Sequence, residues 1–238
     1  MTTLLSLSQK KIFNHHFKNG IKDCVLILLD LSTFSLNKFS NYLTPNHFES
    51  AKKFKHSLFQ HRFLLRKAIL NYFLCHYLKC QINDLNIIKT SNNKPYIKNN
   101  PIYFNVSDSD RYYALSFSKY FSVGIDIELI RYIKSPLLLA KRFFTGCEID
   151  FLTKSNSINN DFFKLWTQKE AYIKCIGQGI SYGLNSFLID NNLNNFTIID
   201  PKANENFNGI SFFNDILYLS ICYQNNDICI YQDNINPV

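Results

Sequence analysis

Phe121-Ser122-Val123-Gly124-Ile125-Asp126-Ile127-Glu128 is the stretch on which the fold turns. Its first five residues are too apolar for a solvent-facing edge, so the run reads as a buried strand that delivers two carboxylates at its end. Asp126 and Glu128 stand two apart. Strand side chains alternate between faces, so both acids project from one side and can grip one hard cation. On an exposed strand such a pair is usually just solvated; at the end of a buried one it needs a partner.

Upstream, Cys24–Leu31 (CVLILLDL) has the size of a buried strand, and Val123-Gly124-Ile125-Asp126-Ile127 faintly echoes its Leu28-Leu29-Asp30-Leu31. Thr44-Pro45 marks a helix start, and a long helical pattern follows from about Phe59 to Leu78. There Phe59, Phe63, Leu70, Phe73, Leu74 and Tyr77 form an apolar stripe, while Arg62 and Arg66 share another face. Ile102–Val106, Tyr112–Phe117 and Phe121–Ile127 read as strands separated by a Ser107-Asp108-Ser109-Asp110 turn and a Ser118-Lys119-Tyr120 turn. Helical patterns return at Leu137–Phe144 and at Asp161–Ile176, the latter stopped by Gly177 and Gly179. From Ser186 the chain reads as strands again, clearest at Ile216–Tyr223 and Ile228–Tyr231. Strand, helices, strands thus occurs twice, joined near residues 107 to 118. A duplicated α+β unit explains this, and so does chance.

The composition is that of a globular protein. In 238 residues, 46% are hydrophobic and 18% charged, with 22 Phe and 14 Tyr, which excludes wholesale disorder. No apolar run approaches the roughly 18 to 20 residues of a bilayer span, so no integral membrane protein is expected. Residues 1–11 lack the features of a secretory signal, which makes the cytoplasm the default. Seven scattered cysteines without CxxC pairs read as buried, reduced thiols. The net charge of +8 favours a polyanionic partner, although an AT-rich coding bias also produces such a lysine excess.

The Asp161–Ile176 helix holds the second group of chemical residues, Trp166-Thr167-Gln168-Lys169-Glu170-Ala171-Tyr172-Ile173-Lys174. Trp166, Glu170 and Lys174 fall on one stripe. A Glu to Lys pair at this spacing is most often plain helix support. The functional reading has Glu170 give a third oxygen to the cation of Asp126 and Glu128 while Lys174 meets an anionic ligand.

These two groups together resemble the phosphopantetheinyl transferases of the surfactin-synthetase-activating (Sfp) type, which show G-[VI]-D-[IV]-E and then [FW]-[SCT]-x-K-E-[AS]-x-x-K. Here Glu128 and Glu170 are 42 positions apart. Ala140-Lys141-Arg142-Phe143-Phe144 with Glu148, Asn93-Lys94-Pro95, Asn105-Val106-Ser107 and the Thr44 to Arg62 region extend the likeness over roughly residues 22 to 223. The resemblance implies an α+β fold of two pseudo-twofold-related lobes, each a helix packed on a small, mostly antiparallel sheet, with the active site between them. Residues 1–110 form the expected N-terminal lobe with the coenzyme A nucleotide contacts, and 111–238 the C-terminal lobe with the metal and catalytic site. It also implies transfer of the phosphopantetheine arm of coenzyme A to a serine of an acidic apo carrier protein, acyl or peptidyl, by a monomer that binds neither nucleic acid nor membrane. Mg²⁺, or Mn²⁺ in its place, is expected on Asp126, Glu128 and Glu170. Glu170 is the implied base with Glu148 in reserve, and Lys174 the implied phosphate-facing cation. Arg62, Lys94 and Ser107 match nucleotide-holding positions.

Asp108 departs from the pattern, since many members have His after that serine. A carboxylate there must turn away from the phosphate, the arrangement expected here, or pair with a cation such as Arg62 or Lys94. The rival readings are a degenerate relative that docks carrier proteins without catalysis and a basic nucleic-acid-binding module; the latter lacks any recognition motif.

Overall fold

The computed structural model describes residues 4–5, 24–98, 102–224 and 230–231. In chain order they form β1 (Leu4–Leu5), β2 (Cys24–Asp30), α1 (Pro45–Ala51), α2 (Ser57–Leu78), β3 (Ile87–Lys89), β4 (Pro95–Ile97), β5 (Tyr103–Ser109), β6 (Tyr112–Ser118) and β7 (Val123–Leu129). Then come α3 (Pro136–Phe143), α4 (Gly146–Thr153), α5 (Ile158–Ile176), β8 (Leu188–Asn192), β9 (Asn195–Ile199), β10 (Phe207–Phe213), β11 (Leu217–Gln224) and β12 (Ile230–Tyr231). Among the described residues no helix is long and apolar enough to cross a membrane.

Two five-stranded sheets organise the α+β fold. The first runs β1-β2-β6-β5, with β12 also on β2; β1 and β12 pair with β2 in parallel and the rest is antiparallel. The second runs β7-β11-β10-β9-β8 and is antiparallel throughout. Both halves repeat one order: a first strand (β2, β7), a long helix (α2, α5), a small hairpin (β3–β4, β8–β9), then a hairpin whose last strand pairs with the first. The sheets divide between β6 and β7. The boundary expected at 110/111 falls in the turn of the β5–β6 hairpin, because that turn is tight and both its strands belong to the first sheet.

The apolar run of β2 is explained by burial on both faces. Val25, Ile27 and Leu29 pack with Leu65, Ile69, Phe73 and Leu74 of α2. Leu26, on the opposite face, packs with Ala114 of β6 and with Ile125, Ile127, Leu217 and Leu219 of the second sheet. The second sheet packs its outer face on Phe162, Leu165, Tyr172 and Ile173 of α5. Each sheet therefore carries one long helix, and the two sheets meet along a third apolar cluster.

Some sequence expectations need correction. The α2 stripe starts later than Phe59, which is 46% exposed; the first turn lies outside the core and Leu65 and Ile69 do the packing. The expected turn at Ser107–Asp110 is strand through Ser109, and only Asp110 (φ 52°) and Arg111 turn. Helix α4 (Gly146–Thr153) was not expected from the sequence, whereas the β8–β9 hairpin lies in the stretch from Ser186 that reads as strands. Cys24, Cys75, Cys175 and Cys222 are buried thiols as expected, whereas Cys147 is exposed in the first turn of α4. Most of residues 1–11, Ile228 and Cys229 lie outside the described residues.

Candidate active site

Gly124, Asp126 and Glu128 share the face of β7 turned toward α5, while Ile125 and Ile127 point into the inter-sheet cluster. Gly124 sets the spacing. A Cβ there would fall 2.1 Å from the Ala171 carbonyl oxygen and 2.2 Å from the Cys175 nitrogen, so only glycine lets α5 lie this close. The helix then brings Glu170 and, one turn on, Lys174 over the two acids.

Lys174 Nζ lies 2.6 Å from Asp126 Oδ1 and donates to Ser107 Oγ at 2.9 Å. Ser107 Oγ in turn donates to Asp126 Oδ1 at 2.8 Å, closing a triangle. Glu128 Oε2 accepts from Ser109 Oγ at 3.2 Å and pairs with Arg131 at 3.1 Å. Strands β5 and β7 share no backbone ladder. Side chains at period two on β5 join them instead: Asn105 Oδ1 accepts from the Ile125 amide, Ser107 holds Asp126, and Ser109 Oγ accepts from the Leu129 amide.

The site is short of positive charge. Burial pushes the Asp126 carboxyl above the usual carboxylate range, against the pull of Lys174. Burial also raises Glu170, and the charges of Asp126 and Glu128 raise it further. Asp126 Oδ2 is buried without a hydrogen-bond partner. Among the described residues no three Asp, Glu, His or Cys side chains stand close enough together to hold a metal ion as they are, and the ammonium of Lys174 sits against Asp126. The donor set still suits a hard divalent cation, whose charge would relieve the raised proton affinity of both acids and give Asp126 Oδ2 a partner.

The remaining candidates are placed differently from one another. Arg62 Nη1 pairs with Asp110 at 2.8 Å, and Arg66 Nη1 pairs with Asp108. Asp108 is therefore partnered by a cation, and that cation is Arg66, neither Arg62 nor Lys94. Lys94 Nζ is taken up by Cys175 O, Ser122 Oγ and Val123 O.

Glu148 is fully engaged in holding the fold. Its Oε2 accepts from the Thr145 amide in a capping box, and its Oε1 accepts from the Ile189 amide and pairs with Lys169 at 2.8 Å. Lys169 completes its shell with the Leu184 and Phe187 carbonyls, each at 2.8 Å. Both Glu148 oxygens are thus used in holding the fold, and no described contact joins Glu148 to Asp126, Glu128, Glu170 or Lys174.

The contacts of Arg66, Lys169 and Ser109 were not expected from the sequence. The i, i+4 relation of Arg66 to Arg62 was the signal for the first. Lys169 lies on the apolar stripe of Leu165, Tyr172 and Ile173, where a lysine must be paired. The period-two run Asn105, Ser107, Ser109 was the signal for the third.

A model of the 4'-phosphopantetheinyl transferase superfamily matches residues 122–222, the segment holding β7, α5 and the second sheet. Over 162 residues the chain is 32% identical to 4'-phosphopantetheinyl transferase Sfp of Bacillus subtilis, covering 67% of this chain and 71% of that protein. Over 147 residues it is 35% identical to 4'-phosphopantetheinyl transferase gsp of Aneurinibacillus migulanus, covering 61% and 60%. Over 190 residues it is 28% identical to a putative 4'-phosphopantetheinyl transferase of a Synechocystis species, covering 74% and 77%.

Proposed function

This chain belongs to the 4'-phosphopantetheinyl transferase superfamily, and from that premise we propose that it moves the 4'-phosphopantetheine arm of coenzyme A to a serine hydroxyl of an apo carrier protein. The observation that carries the reading is the meeting of Asp126, Glu170 and Lys174 across the β7–α5 seam, inside the segment that matches the family.

In the reaction the serine oxygen attacks the phosphorus that bears pantetheine. The bond from that phosphorus to the bridging oxygen breaks, adenosine bisphosphate leaves, and the serine proton passes to a base. Glu170 is assigned that base, directly or through one water. In the metal-free protein its carboxyl is held above the ordinary range by burial and by Asp126. Lys174 sets a positive charge against the phosphates from a part-buried position held by Asp126. Ser107 holds both Lys174 and Asp126 and so fixes where that charge lies. Asp126, Glu128 and Glu170 are the residues that would hold Mg²⁺, which when bound neutralises charge on the pyrophosphate.

The nucleotide end of coenzyme A is assigned to the first half, where Arg62 and Arg66 of α2 present two guanidinium groups steadied by Asp110 and Asp108. The second half supplies the chemistry. A net charge of +8 supports an acidic carrier as partner, and the reading includes a monomer acting in the cytoplasm.

Incubation with Mg²⁺, coenzyme A and an apo acyl carrier protein, followed by weighing the carrier, tests the proposal. One phosphopantetheine per carrier is expected. A carrier of unchanged mass, where an active member of the superfamily modifies the same preparation, overturns it.

A further inference from the structure

Lys94 enters the sequence argument as a phosphate-holding residue, yet its surroundings tie it to the protein. It immediately precedes β4, and its stem lies beneath Gly177, where a Cβ would stand 2.9 Å from Lys94 Cδ. Its Nζ donates to Cys175 O at 2.7 Å, Ser122 Oγ at 3.1 Å and Val123 O at 3.4 Å. An ammonium has three donors, so none is left for a ligand. In the same turn Asn92 Nδ2 donates to Gln178 Oε1 at 3.3 Å, a second tie between the β3–β4 turn and the end of α5. Burial depresses the Lys94 pKa, as expected of an ammonium withdrawn from water.

What Lys94 holds is informative. Cys175 O belongs to the last turn of α5, where carbonyls lack intrahelical partners and the helix dipole is negative, so a cation is favoured there. Ser122 Oγ donates to the same carbonyl at 2.5 Å, and Cys175 Sγ donates to Ser122 O at 3.3 Å. The cluster laces the end of α5 to the start of β7. Those two elements carry Glu170 and Lys174 on one side and Asp126 and Glu128 on the other. Lys174 adjoins Cys175, so a slip of α5 along β7 moves its ammonium off Asp126 Oδ1 directly.

We propose that Lys94 is a positioning residue, and that the β3–β4 turn at residues 90–94 is a strut from the first half that fixes the register of α5 on β7. Its role in transfer rests on the transferase reading above; its grip on α5 does not.

Lys94→Met keeps the stem and removes the ammonium. With coenzyme A and an apo carrier, kcat is expected to fall tenfold or more while the KM for coenzyme A stays within threefold, with the same fractional loss for dephospho-coenzyme A. A KM raised tenfold with kcat retained, or unaltered kinetics, overturns the proposal. Amide hydrogen exchange gives a readout that needs no activity: exchange is expected to quicken at least tenfold in residues 173–176 and at the start of β7, and to hold steady in α2. Unchanged exchange in α5 overturns the proposal even if activity falls. Should Lys94→Met fail to fold, Ser122→Ala removes one acceptor of Lys94 and a second donor to Cys175 O, and is judged by the same two criteria. If the unmodified enzyme transfers nothing, the transferase reading fails, and the exchange measurement still decides the strut.

Discussion

Asp126 is a buried carboxylate with two donors on Oδ1 and none on Oδ2. An unmet buried acceptor costs about 1–3 kcal/mol, and Glu170 and Glu128 add like charge nearby. Glu170→Gln keeps the shape, removes one negative charge and removes the assigned base. Transfer is expected to fall at least about a hundredfold, the usual worth of a general base, while thermal melting of the metal-free protein stays level or rises. Asp126→Ala at saturating Mg²⁺ is expected to lose transfer by orders of magnitude; near-normal transfer by either variant in the carrier-mass assay would remove these residues from the site. Lys169, next to Glu170 in sequence, faces the other side of α5 and behaves oppositely. It is fully buried, and its pairing with Glu148 and two carbonyls leaves it no chemistry to do.

At the scale of elements, the α5–β7 contact decides where the chemistry sits. The atoms nearest a Cβ at Gly124 are backbone atoms of α5, which cannot rotate aside. Gly124→Ala is therefore expected to destabilise by about 3 kcal/mol or more, at the upper end of overpacking costs, and to lose transfer as Lys174 is lifted from Asp126; urea denaturation and the mass assay check both. The other side of α5 is tied by Asp200 Oδ2, which accepts from the Tyr172 hydroxyl at 2.7 Å and the Tyr182 hydroxyl at 2.6 Å. Burial works to raise the Asp200 pKa, but these hydroxyls outweigh it and hold the carboxyl below its usual value. A depressed acid stabilises the fold above the unfolded value of 3.8 and loses that contribution as pH falls through the folded one. Asp200→Asn is expected to be less stable at neutral pH and to show a flatter loss of stability in acid, read from denaturation curves at stepped pH. The boundaries of the long elements were legible within a few residues, because apolar runs of strand length and apolar helical stripes survive in the sequence. The continuation of β5 through Ser107-Asp108-Ser109 was not, because Ser107 and Ser109 reach β7, Asp108 pairs with Arg66, and none of the three carries apolar alternation.

At the scale of the whole molecule, two helix-on-sheet halves meet through Leu26, Ala114, Ile125, Ile127, Leu217 and Leu219, and this apolar seam holds β5 beside β7 so that Ser107 and Ser109 reach the acids. The net charge of +8 belongs to the same scale. If it steers an acidic carrier, the KM for the carrier is expected to rise with salt as the Debye length shortens from about 10 Å at 0.1 M to about 3 Å at 1 M. A carrier KM unchanged across that range, measured at fixed coenzyme A, would show that the lysine excess has no part in docking.

The sequence by itself determined the buried strand at β7, the common face of Asp126 and Glu128, the stripe joining Glu170 to Lys174, and the family those motifs belong to. These are local properties, fixed by the two-residue and 3.6-residue repeats of the backbone. The tertiary structure alone decided which charge meets which: Arg66 with Asp108, Lys169 with Glu148, and Lys94 with a carbonyl 81 residues away. A buried charge takes whatever partner the packed elements bring within about 3 Å, and no local pattern encodes that distance.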